Sequence, residues 1–152
     1  MMIRDDIKAA QIAAMKGGDK AASGTIRLIL STLKNRDIEL RTSDKAPEDD
    51  ALVIEVLQKM IKQRRESAEM YRKGNREELA ATEEAEIEVI ERFLPKQMSD
   101  DDAKAAIAGV IAEVGASGMK DMGKVMALVK ERFASELEPA RASALVRGML
   151  AS

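Results

Sequence analysis

Residues 53–73 read VIEVLQKMIKQRRESAEMYRK, and this stretch decides the fold. Val53, Val56, Leu57, Met60, Ala68 and Tyr71 follow the three-and-four spacing of one helix face, with no alternation that a strand would need. Pro47 with acids behind it suits a helix start, and Gly74-Asn75 suits a stop, so one long helix is expected over 48–73. Toward the N-terminus the turn Thr42–Pro47 separates it from a helix over 20–41, with Ala22, Ile26, Ile29, Leu33 and Leu40 inward. Gly17-Gly18 precedes that helix and closes a first one, striped by Ile3, Ile7, Ala10 and Ala14.

Toward the C-terminus a fourth helix is expected over 76–94, with Leu79, Ile87, Ile90 and Leu94 inward. Pro95 stops it. Ser99, followed by Asp100, Asp101 and Asp102, reads as an N-cap with acids in the first turn. Three shorter helices follow: one from Asp100 to Val114 ended by Gly115, one from near Asp121, and one from Pro139 onward. The reading is all-α, with an N-terminal four-helix bundle over 1–94 and a small three-helix domain over 95–152.

Composition agrees with helices and narrows the chemistry. Hydrophobic residues make up 45% of the 152-residue chain and aromatic ones only 2%, so the core must come from Ala, Leu, Ile, Val and ten Met. Most of these are strong helix formers. There is no Cys and no His, which excludes disulfides, Cys-based zinc sites and His acid–base or nucleophile–His chemistry. No glycine-rich phosphate loop occurs, and the glycines sit mostly at helix ends. No catalytic residue, metal or cofactor is assigned. No run approaches the ~20 apolar residues of a membrane span. Acids occupy Met1–Asp6 where a secretion signal would be apolar, so the expected location is cytoplasmic and no membrane partner is expected. The net charge of −2 argues against a dedicated nucleic-acid binder but leaves room for a local basic patch.

Three groups of residues stand out. Arg64 lies on the apolar stripe of the third helix, with Tyr71 on the same side, while Glu83 and Glu86 lie on or beside the stripe of the fourth. The pattern predicts a structural polar network of Arg64, Tyr71, Glu83 and Glu86 that sets the register of the two helices. Arg27, Lys34 and Arg41 are spaced by seven and make a basic stripe on the second helix. Lys59, Lys62, Arg65, Arg72 and Lys73 decorate the third, where Glu55–Lys59, Lys62–Glu66, Arg65–Glu69 and Glu69–Lys73 have the spacing of surface ion pairs. In Asp121-Met122-Gly123-Lys124, Asp121 can cap a helix whose first turn holds Gly123. A glycine there permits close approach of another backbone, either a neighbouring helix or RNA.

These segments together resemble the GatB/YqeY family. The residues that carry the resemblance are Arg27-Leu28 with Lys34-Asn35, Lys62-Gln63-Arg64 with Ser67 and Tyr71, and Arg76-Glu77-Glu78-Leu79-Ala80. Glu83 with Glu86-Ile87, Leu94-Pro95 with Gln97, and Asp121-Met122-Gly123-Lys124-Val125-Met126 complete it. It spans nearly the whole chain, as in a stand-alone YqeY-like protein. One departure is Ala134-Ser135-Glu136-Leu137-Glu138-Pro139, where the family commonly has a Gly-containing turn leading to an Asp.

The resemblance implies kinship with the tail of the B subunit of the glutamine-dependent Glu-tRNA/Asp-tRNA amidotransferase, a tail that contacts the tRNA body. The leading expectation is therefore an accessory tRNA-interacting protein without a catalytic site. Its contacts are expected at Arg27, Lys34, Lys120, Gly123 and Lys124, with phosphates and shape recognised more than bases. The alternative is a protein–protein adaptor docking on an enzyme or ribosome-associated partner. A carbon–nitrogen ligase with glutamine as amide donor is the least favoured, because no residues for that chemistry are visible.

Overall fold

The computed structural model describes residues 2–43 and 47–151, so Asp44, Lys45 and Ala46 of the expected turn lie outside the described residues. The described chain is all-helical. Its helices are α1 (Ile3–Lys16), α2 (Lys20–Leu40), α3 (Asp49–Lys73), α4 (Glu77–Glu91), α5 (Asp100–Val114), α6 (Met122–Phe133) and α7 (Pro139–Ala151), and a 3-10 turn at Met119–Asp121 leads into α6. None is long and apolar enough to cross a membrane. Two compact units are present, Met1–Leu94 and Pro95–Ser152.

In the first unit α3 lies along α4, α1 packs on α2 and α3, and α2 also touches α3 and α4. Ile7, Ile29, Leu33, Val53, Leu57 and Ile90 meet in its interior, each no more than 1% exposed. Gly18 turns the chain between α1 and α2 in the left-handed region at φ 73°, which costs glycine nothing. The start of α1 has no side-chain cap of its own. Asp50, in the first turn of α3, supplies the missing acceptor by taking the Ile3 N–H at 2.9 Å. Its neighbour Asp49 and Asp37 of α2 both bind Arg4, each at 2.9 Å, so one guanidinium ties three helices together.

The fourth helix differs from the expected phase. Leu79, expected inward, is 38% exposed, and Ala80 is fully buried in its place. The stripe that faces the interior is 80, 83, 87, 90 and 94, stepping by three and four, and Leu79 stands at its edge, about 60° from its centre. Bulk alone favoured Leu79; the buried position holds only a methyl group.

In the second unit α5, α6 and α7 each contact the other two. Ile107, Val110, Val125, Val129, Leu137 and Val146 form its core, each no more than 2% exposed. Ser99 caps α5 by accepting from the Asp102 N–H at 3.1 Å, and Gly115 closes it at φ 66°. The segment that departs from the family pattern is an anchor. Leu137 is in the core, Glu136 carbonyl accepts from Met98 N–H at 2.9 Å, and Ser135 carbonyl accepts from the Gln97 amide at 2.8 Å. Arg141 adds a bond to the Met98 carbonyl at 2.7 Å and another to Asp100 at 2.6 Å.

Candidate nucleic-acid interface

The face of α2 away from the core carries Arg27, Lys34 and Arg41, all exposed. Seven residues rise roughly 10 Å along a helix and return to nearly the same angle, so the three cations form one line. None of them makes an ion pair among the described residues, and their charge is therefore not neutralised by the protein. At the start of α2, Lys20 and Arg27 border a shallow depression of about 390 Å³ against the end of α1, with Met15 and Gly24 in its wall. Leu28, beside Arg27, is 47% exposed and adds an apolar contact to the stripe.

The basic face of α3 pairs differently from its spacing. Of the four expected intrahelical pairs only Glu69–Lys73 forms, at 3.4 Å. Arg65 reaches across to Glu91 at 3.4 Å, and Arg72 binds Glu77 at 3.1 Å and also Glu84, all on α4. The Arg72 guanidinium holds the Glu84 carboxyl below its ordinary range through that hydrogen bond. Sequence spacing counts only neighbours on one helix, whereas the close lie of α3 on α4 offers these arginines acceptors in a fixed place. Lys59 and Lys62 are left exposed with no ion pair among the described residues.

In the second unit Lys120, Gly123 and Lys124 are all exposed. Asp121 does not cap α6; its carboxylate accepts from the Ser117 N–H at 3.0 Å and closes the preceding turn. The 3-10 turn takes up one donor of the helix start, because Met122 N–H bonds the Met119 carbonyl. A Cβ built on Gly123 meets no atom within 4 Å, so no neighbouring helix accounts for this glycine. The packing explanation fails, and the surface there is open.

Between α3 and α4, Arg64 Nε donates to Glu86 Oε2 at 2.8 Å, and Nη1 donates to the Met60 carbonyl at 3.2 Å. The Arg64 side chain is 15% exposed and that of Glu86 27%. Glu83, one turn before Glu86, is partly buried. Burial first, and then the Glu86 charge, push its pKa up, with Arg64 opposing. Tyr71 lies half-buried on α3, where its carbonyl accepts from the N–H groups of Gly74 and Arg76 and closes the helix end. The network brings together Arg64, Glu86 and Glu83, while Tyr71 acts through its main chain.

Residues 4–150 match the profile of the Yqey-like protein family. Among similar proteins is the one named "Altered inheritance of mitochondria protein 41, mitochondrial" from Lachancea thermotolerans, 32% identical over 74% of this chain and 57% of that protein. Proteins of the same name match from Vanderwaltozyma polyspora, at 35% identity over 60% of this chain and 46% of theirs, and from Clavispora lusitaniae, at 29% over 88% and 75%. The chain spans about half the length of the first two. These names overturn the cytoplasmic expectation, since the compartment they carry is the mitochondrion. The expectation rested on the acids of Met1–Asp6 and on the lack of a long apolar run, and neither property separates one aqueous compartment inside the cell from another.

Proposed function

Since the chain belongs to the Yqey-like protein family, we propose that it is an accessory protein that contacts tRNA and has no catalytic site of its own. The observation that carries this reading is the line of unpaired cations Arg27, Lys34 and Arg41 on α2. Elsewhere on the surface Arg36, Arg65, Arg72 and Arg132 are held by carboxylates, whereas these three cations stand in line with none. A row left unpaired at roughly 10 Å steps matches the needs of a phosphate backbone. Lys120 and Lys124, flanking the open Gly123, give the second unit a smaller patch of the same kind. Kinship with the amidotransferase tail makes tRNA the RNA to test.

The test is tRNA binding at low and moderate salt. Arg27→Glu/Lys34→Glu is expected to weaken binding roughly tenfold or more and to flatten the salt dependence, since two phosphate contacts are lost. Gly123→Val has room for its side chain, and Val and Gly differ little in helix propensity, so it should fold and yet bind more weakly. Equal affinity of all three proteins would reject this surface. It would favour instead a protein adaptor, for which Ile12 and Met15, 56% and 62% exposed on α1, are the apolar contacts.

The four-helix and three-helix units are proposed to be separate domains. A fragment of residues 1–94 should melt cooperatively by circular dichroism, because its helices share one interior. A fragment that stays helical but melts without a sigmoid transition would contradict this division.

A further inference from the structure

Two stretches that carry the family resemblance, Lys34-Asn35 on α2 and Lys62-Gln63 on α3, each place their amide residue, Asn35 and Gln63, in the lining of one groove of about 350 Å³ between these helices. The volume lies at the low end of small-molecule pockets, ~300–1,000 Å³. From this convergence we infer that the groove takes a single unpaired nucleobase, with the amides of Asn35 and Gln63 reading its edge. The inference rests on the tRNA reading above and extends it from phosphates to bases.

Neither amide has a hydrogen-bond partner among the described residues, so both keep a donor and an acceptor for a ligand. Val56 and Met60, 7% and 3% exposed, close the floor of the same groove with apolar atoms. The charges around it balance: Arg36 and Lys59 face Glu39 and Glu55, and Arg36 already bonds Glu39 at 2.9 Å. A phosphate gains little from a neutral rim, whereas an uncharged base loses nothing there. A carboxamide pairs best with adenine, whose N6 and N7 match its acceptor and donor, so adenine is the preferred base. Lys34 and Lys62, one residue before each amide, are unpaired cations available to the phosphates on either side of that base.

Two measurements on the full chain test this. In the first, adenosine and, separately, inorganic phosphate are titrated while the side-chain amide resonances of Asn35 and Gln63 are followed by NMR. Adenosine should move both resonances at millimolar concentration, and phosphate should move neither. In the second, Asn35→Ala/Gln63→Ala should bind tRNA roughly tenfold more weakly with an unchanged salt slope, while its affinity for a plain RNA duplex stays that of the parent. Resonances that adenosine does not move, together with unaltered tRNA binding by the double variant, overturn the groove and leave the tRNA role standing. Resonances that move in a protein with no affinity for tRNA support the groove and reject the tRNA role.

Discussion

Ile90→Ala is expected to cost the first unit about 3–4 kcal/mol, while Leu79→Ala on the same helix costs well under 1 kcal/mol. Ile90 is fully buried on α4, which packs on both α2 and α3. Truncating it removes apolar burial and leaves a cavity that three close-packed helices cannot readily collapse. Leu79 is 38% exposed and holds no interior space. Small domains have only ~5–15 kcal/mol of stability, so the first substitution should lower the urea midpoint markedly and the second barely at all. Equal midpoints for the two variants would mean that α4 presents a different face to the interior.

Glu86→Ala is the second large effect, at about 2–3 kcal/mol. It strands the Arg64 guanidinium, whose side chain is 15% exposed and whose only other hydrogen bond among the described residues is to the Met60 carbonyl. Removing one partner of a desolvated pair leaves an uncompensated charge, although some access to water keeps the cost below that of a fully buried pair. Glu83→Gln should act in the opposite direction. The Glu83 carboxyl is pushed up by burial and by Glu86, so the folded state binds its proton more tightly than the unfolded state does. That contribution is fully present below the unfolded pKa, near 4.5, and is lost as pH rises through the folded value. At neutral pH the charged Glu83 is a burden that glutamine relieves. Chemical denaturation at pH 7 and pH 4 measures both: the gain from Glu83→Gln should shrink at the lower pH, and a gain independent of pH would exclude the electrostatic cause.

Much of the fold was legible because helix starts and stops are local. Gly115, Ser99 and the three aspartates after it mark α5 by themselves, and the stripes of α2 and α3 repeat often enough to fix their inner faces. Leu79 and Ala80 were not legible, since a first-turn residue has only one side from which to read a phase. Ion pairing was less legible still. Spacing along α3 offered Arg65 to Glu69, but the acceptor that Arg65 finds is Glu91, which only tertiary packing brings near. The unpaired state of Lys59 and Lys62, and the meeting of Asn35 with Gln63 in one groove, depend on the same packing of α2 and α3. The basic stripe on α2 needed only a period of seven, and what the fold adds is that none of its cations is neutralised.

The salt dependence of tRNA binding by the unaltered protein tests the central claim most directly. Three or four phosphate contacts give a slope of about −3 for log affinity against log salt, so raising salt from about 50 to about 200 mM should weaken binding roughly 60-fold. That dependence, measured with an unfractionated tRNA pool, is the expected result. No measurable affinity at low salt, or an affinity that does not change with salt, would contradict a role built on the cations of α2.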